Sequence, residues 1–257
     1  MLFAKKSLGQ NFLTDLNIIN KIINIKNINK RNVIEIGPGK GALTDKILKN
    51  NPKSLLIIEK DINLYKILKG KYKNNKIIEI YNSDVLNFNF EKLTKNKSVI
   101  FGNLPYNIST QILVNLIKSK IWPPNYSDLI FMFQKEVAEK IIGKSYGRLS
   151  VISDYRLNFK SKFEVSPNCF FPKPKVKSLV VHLQPKKSNI YKIKNLKNLE
   201  YVTNIFFSNK RKMINKGLRK ILSKKQFDNL RNINLKLRPS DLKPELYYKI
   251  VQLYEGK

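Results

Sequence analysis

Cysteine and histidine are all but missing from this chain of 257 residues, which has one of each, Cys169 and His182. A lone cysteine excludes an internal disulfide framework and any cysteine-based zinc cluster. A lone histidine excludes histidine-based metal centres and argues against a histidine-dependent triad. His182 lies in the strand-like run SLVVHLQP and reads as a half-buried strand residue. Acidic side chains are also scarce, 18 against 50 basic ones. No apolar run approaches the roughly 20 residues of a membrane helix, and MLFAKKSLGQNFL lacks the long apolar core of a secretion signal. The expectation is a cytoplasmic protein in a reducing compartment, without a metal site or a membrane partner.

What is present is positive charge and enough apolar residues for a core. The formal net charge of +32 points to a polyanionic partner, nucleic acid first. Only 7 of the basic residues are Arg, and Lys, Asn and Ile are the residues of A/T-rich codons, so charge alone does not carry that assignment. A hydrophobic content of 42% excludes a disordered basic tail.

Short β-branched or aromatic-rich runs at 32–37, 54–61, 76–84, 98–103 and 128–134 have the texture of buried parallel strands. Between them GALTDKILKN, INLYKILKGKY and STQILVNLIKSK carry apolar residues at helical spacing. This alternation predicts a doubly wound α/β sheet, with KSKFEVS and KSLVVHLQP as two closing strands. After Pro185 the pattern becomes lysine-rich and helical, which predicts a domain over 1–185 and a second over 186–257. The latter carries 19 basic and 5 acidic residues. In NKRKMINKGLRKIL (209–222), Ile214, Leu218 and Ile221 share one helical face. Lys212, Lys216 and Arg219 fall opposite, either as a solvated face or as one that binds RNA phosphates.

VIEIGPGKGALTDKIL places Gly37, Gly39 and Gly41 at a strand-to-helix turn, where backbone can approach a ligand without a Cβ in the way. Glu59, about 20 residues on at the end of the next strand, can accept both hydroxyls of a ribose. The pattern indicates an adenosine-containing cofactor, either a nicotinamide dinucleotide or S-adenosylmethionine. Glu35, Glu59, Asp61 and Asp84 would ring the strand ends with carboxylates, which suits a cationic ligand better than a diphosphate. Asp61 also reads as a helix N-cap, and Asp84 as a contact to the adenine amino group.

The turn FGNLPYNIST (101–110) carries no charge in a lysine-rich chain, and a neutral ligand explains why. The exocyclic amino group of a base is a poor nucleophile because its lone pair is delocalised into the ring. Acceptors on its two N–H groups draw the nitrogen towards a reactive geometry. The Asn103 side-chain oxygen and the Leu104 carbonyl are two such acceptors. Pro105 holds Leu104 extended and so aims that carbonyl, and Tyr106 offers a face for stacking a base.

These stretches resemble the KsgA-type ribosomal RNA adenine dimethyltransferases over nearly the whole chain. The resemblance is carried by KKSLGQNFL (5–13), EIGPGKGALT (35–44), IEKD (58–61), NSDVL (82–86), FGNLPYNIST, FMFQKEVAEKI (131–141), YGRLSV (146–151), FFPKPKVKS (170–178) and NKRKMINKGL (209–218). It implies a Rossmann-like seven-stranded methyltransferase sheet with a small helical C-terminal domain. It implies S-adenosylmethionine as cofactor, with contacts on Asn11, Leu13, Gly37, Gly39, Glu59, Asp84 and Asn103. Phe170 would stack on the target adenine opposite Tyr106. The implied activity is N6-dimethylation of two adjacent adenosines near the 3′ end of small-subunit rRNA, by a monomer acting on a pre-ribosomal particle. The related resistance methylases of large-subunit RNA typically have Ile at the position of Leu104, and YGRLSV, FFPKPKV and the basic helix favour the small-subunit enzyme. NKRK departs from the Arg-Arg-Lys commoner in the family. A dehydrogenase is disfavoured by the lack of an acid–base residue, and a purely RNA-binding assembly factor would have no need of an intact NLPY.

Overall fold

A computed structural model of the chain describes residues 5, 8–90, 97–228, 230 and 234–256. Lys6 and Ser7, from the first of the resembling stretches, lie outside them. The described residues form two compact units, one of 1–138 with 158–185 and another of 139–157 with 186–257.

The first unit is built on a seven-stranded sheet. Its strands are β2 (Asn32–Ile36), β3 (Ser54–Glu59), β4 (Ile78–Asn82), β5 (Ser98–Asn103), β6 (Tyr126–Gln134), β7 (Leu157–Val165) and β9 (Ser178–Pro185), in the order β4-β3-β2-β5-β6-β9-β7. A separate two-stranded ribbon pairs β1 (Phe12–Leu13) with β8 (Phe170–Phe171). Every expected strand is present, the one at 98–103 with its ends unchanged and the others with ends shifted by at most three residues. The strands from β4 to β6 run parallel, and β9 pairs with β6 antiparallel. Parallel strands are covered on both faces, so their interiors are continuously apolar: Val99, Ile100 and Phe101 of β5 have no exposed surface. Helices α1 (Leu16–Ile23), α2 (Ala42–Leu48), α3 (Ile62–Lys71) and α4 (Ser109–Ile117) connect the strands. Two of them start on Asp caps, Asp15 taking the N–H groups of Asn17 and Ile18 and Asp61 that of Asn63. The chain order leaves β2 between β3 and β5, so strand order reverses beside β2. That reversal opens a crevice at the carboxyl ends of β2 and β5.

His182 is a buried strand residue. Its Nε2 lies 2.8 Å from Oδ1 of Asp128, which is fully buried near the start of β6. Gln184 donates to the same oxygen at 2.7 Å, and Ser127 and Lys26 reach the other.

The second unit is helical: α5 (Lys135–Ile141) runs into it, followed by α6 (Arg148–Arg156), α7 (Leu196–Phe207), α8 (Ile214–Ile221), α9 (Lys224–Asp228) and α10 (Pro244–Tyr254). The boundary expected at 185 is crossed by residues 139–157, which cluster with the C-terminal helices. Val151, Ile152 and Tyr155 of α6 are buried, the Tyr155 ring lies 5.0 Å from that of Tyr248, and the Tyr248 hydroxyl donates to Val151 O and Asp154. The expected helix over 209–222 is α8, beginning at Ile214, with 208–211 as turn. Ile214, Leu218 and Ile221 are buried as anticipated, and Lys212, Lys216 and Arg219 are exposed.

Candidate active site

The crevice is a cavity of about 380 Å³ into which the glycine turn, the ends of β2, β3 and β5, the NLPY turn and the β1 ribbon all project. Asn11, Leu13, Gly37, Gly39, Glu59, Asp84, Asn103, Leu104, Pro105 and Tyr106 all line it.

Gly39 has φ +58°, and a Cβ there would meet the Phe12 ring at 2.8 Å. The turn is therefore left-handed with an aromatic ring pressed onto it, and only glycine satisfies both demands. Gly102 is needed for a different reason: the Leu104 side chain folds back over it, leaving 2.5 Å for a Cβ. Leu104 is buried by this packing, which helps Pro105 hold its backbone.

The Asn103 amide nitrogen donates to the Asn11 carbonyl at 2.9 Å. That bond fixes which way the amide faces, and Oδ1 accepts no hydrogen bond among the described residues, so it remains available as an acceptor. The Tyr106 hydroxyl is held by Ser178 Oγ at 2.7 Å. Burial pushes its pKa up, with Ser178 partly offsetting, so the ring stays neutral and the turn uncharged.

The carboxylate ring is corrected by its partners. Burial drives Glu35 up to about 8 against a 2.6 Å hydrogen bond from Thr44, so it is largely protonated at neutral pH. Burial would also raise Asp61, but bonds from Lys5, the Asn63 N–H and Gln10 together hold it below the usual range. Lys60 at 2.7 Å and the Leu86 N–H lower Asp84, which thus caps the short turn Val85–Asn87 as well as lining the cavity. Glu59, like Glu35, has no ammonium partner among the described residues, but it is shifted less. Burial raises it to about 6, partly offset by the Asp61 N–H at 2.8 Å. The negative character of the crevice therefore rests on Glu59 rather than on a ring.

Phe170 is not among the cavity residues. It sits opposite Leu13 in the β1–β8 ribbon, 4% exposed, within the hydrophobic cluster that includes Ile19 and Val165. The next residue, Phe171, faces outward and is 67% exposed, since alternate strand residues face opposite sides. The basic set is also redrawn. Lys212 and Lys216 line a hollow of about 110 Å³ with Lys220 over Ile205 and Phe206, whereas Arg219 lies 5.3 Å over the Phe227 ring. Phe12, Thr44, Lys60 and Ser178 escaped sequence reasoning. All four sit inside stretches already singled out, but their partners are set by tertiary contacts, as with Ser178 and Tyr106.

A doubly wound sheet with a glycine turn, a buried acid at the end of the next strand and an uncharged amide turn at its switch point defines the class of α/β methyltransferases that act on an amino nitrogen. Within that class, the chain belongs to the ribosomal RNA adenine dimethylase family, whose pattern matches residues 1–255. It is 44% identical over 260 aligned residues to the ribosomal RNA small subunit methyltransferase A of Pelagibacter ubique, covering 98% of this chain and 97% of that one. It is 43% identical to the protein of that name in Buchnera aphidicola, covering 92% and 87%. Among solved structures, a dimethyladenosine transferase from Plasmodium falciparum matches with a TM-score of 0.81 at 25% identity, covering 95% of this chain and 98% of that one. The 23S rRNA methyltransferase ErmE shares the fold, with a TM-score of 0.72 at 23% identity, covering 95% and 100%.

Proposed function

We propose that the chain dimethylates N6 of two adjacent adenosines near the 3′ end of small-subunit rRNA, as a monomer acting on a maturing particle in the cytoplasm, with S-adenosylmethionine as donor. The observation that carries the reading is the Asn103 amide, tied to Asn11 through its nitrogen and left with a free acceptor oxygen beside the glycine turn. When bound, S-adenosylmethionine supplies an electrophilic methyl group. The crevice fits that molecule: Glu59 can take the ribose hydroxyls, Gly37 and Gly39 leave room for backbone approach, and Asn11, Leu13 and Asp84 border the same space. Asn103 Oδ1 and the Leu104 carbonyl accept the two N–H groups of adenine and orient its nitrogen, while Tyr106 stacks on the ring. Phe170 contributes as the packing partner of Leu13 in this reading, not as a second stacking face. Incubating the protein with labelled donor and small ribosomal subunits lacking the modification, then mapping the label, tests the assignment. Label on any base other than adenine, or none, would overturn it.

Donor binding is expected to depend on Glu59 and on pH. An ionised carboxylate accepts both ribose hydroxyls strongly, whereas protonation turns one oxygen into a donor and weakens the pair, and the Glu59 carboxyl titrates near 6. Affinity should be flat above that value and fall as pH drops through it, approaching tenfold per unit. Glu59→Ala should cost about 1.5–3 kcal/mol of donor binding and remove the pH dependence. Calorimetry that finds unchanged affinity in the folded variant would refute the role.

The basic hollow of the second unit is assigned to RNA phosphates. Lys212, Lys216 and Lys220 share it, so replacing all three by Ala should flatten the salt dependence of RNA affinity by about two to three units of slope. Arg219→Ala, which disturbs a ring contact instead, should change the slope by less than one. An unaltered slope in the triple lysine variant would return these residues to a solvated face.

A further inference from the structure

The exposed aromatic next to Phe170 has no part in the chemistry above. Phe171 pairs across the β1–β8 ribbon with Phe12, and directly opposed residues of an antiparallel pair project to the same face. On that face the Phe12 ring covers Gly39 and lines the cavity. Phe171 therefore stands beside a wall of the active site, yet 67% of it is open to solvent. The chain then runs seven residues to Ser178, which holds the Tyr106 hydroxyl. Phe171–Ser178 thus connects one wall of the cavity to the other.

This rim is fixed in place. Pro174 is buried in its middle, and the Lys177 carbonyl accepts the Lys135 N–H at 3.0 Å near its end. Its lysines are not equivalent. Lys177 is paired with Glu164, which it shares with Lys135. Lys173 and Lys175 are exposed and pair with no carboxylate among the described residues. A single exposed aromatic needs no explanation. An aromatic face followed by two uncompensated ammonium groups, on an anchored rim of a base-binding crevice, has the make-up of a single-strand nucleic-acid site.

We infer that the rim Phe171–Lys175 is a platform for the RNA strand flanking the target adenosine. Phe171 stacks on a neighbouring base, and Lys173 and Lys175 hold its phosphates. This rests on the RNA-methylating reading and adds a contact that the reading does not contain. An extruded base needs its neighbours held unstacked, and a platform outside the cavity does this without entering the donor site.

The test uses the full chain, with unmodified small ribosomal subunits as substrate and steady-state methylation as readout. Stacking of this kind corresponds to a change of about 5- to 150-fold, so Phe171→Ala should raise KM for the particle by that order with little change in kcat. Phe171→Tyr, which keeps a π face, should restore KM. Phe171→Leu, apolar but without one, should not, and that contrast separates stacking from loss of folding. Lys173→Ala with Lys175→Ala should reduce the salt slope of binding to a single-stranded RNA oligonucleotide by about 1.4 units, at roughly 0.7 per phosphate. Wild-type KM in both Phe171→Ala and Phe171→Leu, or an unaltered slope in the double lysine variant, would overturn the platform. Absence of methyl transfer by the wild-type protein would instead refute the reading beneath it.

Discussion

Asn103→Ala is expected to abolish transfer of both methyl groups while leaving the fold in place. The substitution removes Oδ1, the acceptor proposed above for the adenine amino group, and the 2.9 Å bond to the Asn11 carbonyl. Loss of one preorganised polar contact to a reacting group typically costs 10²- to 10³-fold in kcat, about 2.7–4 kcal/mol. Here the remaining acceptor, the Leu104 carbonyl, cannot position the nitrogen alone. Dimethylation follows from the same count. Unmodified adenine presents two N–H groups to two acceptors, and after one transfer a single N–H remains. Leaving one neutral acceptor unpaired costs about 1–3 kcal/mol, less than an ionised aspartate would lose there, so a second round is tolerated. No strong base is needed beforehand, because the methylated nitrogen is acidic enough to lose its proton afterwards. Mass spectrometry of digested RNA should show dimethyladenosine from the wild type and no methylation from the variant. Monomethyladenosine as the wild-type end product, or near-normal transfer by Asn103→Ala, would sink this account.

The second large effect is on stability and lies at the opposite end of the sheet. Asp128→Ala should destabilise the protein by about 3–5 kcal/mol, the usual cost of removing one member of a buried charged cluster. Burial alone would raise the Asp128 carboxyl, but His182, Gln184, Ser127 and Lys26 together hold it below the ordinary carboxylate range. A depressed folded pKa contributes stability above the unfolded carboxylate value and loses it as pH falls through the folded one. The gap between wild type and variant should thus be full at neutral pH and narrow in strong acid. Thermal melts at pH 7 should show a fall on the order of 10 °C, and a shift under 2 °C would refute the role. Val99 aligns with Asp128 and Asn103 with Met132, so about four residues of strand, roughly 13 Å, separate the cluster from the reacting turn. Donor affinity well below the melting temperature should therefore match wild type.

The α/β sheet, the glycine turn, the switch-point position of NLPY and the amphipathic basic helix were legible because each is a local pattern. Short continuous apolar runs, 3.6-residue hydrophobicity, a glycine where a left-handed turn is needed, and a proline that restricts its neighbour act over a few residues of chain. Their consequences survive folding, as the buried β5 and the buried face of α8 show.

What only the tertiary structure decided was which of these groups meet, and so what charge each carries. Glu35, Glu59, Asp61 and Asp84 look alike in sequence. Yet burial leaves the first protonated in spite of its bond from Thr44, Lys5 and Lys60 neutralise the last two, and Glu59 remains the ionisable acid. Phe170 and Phe171 differ by one position, and the register of a two-residue ribbon sends one into the core and the other to the rim. Residues 139–157 join the C-terminal helices through contacts with Tyr248, nearly a hundred positions on from Val151. Desolvation, ion pairing and strand register depend on atoms distant along the chain, and no local pattern encodes them.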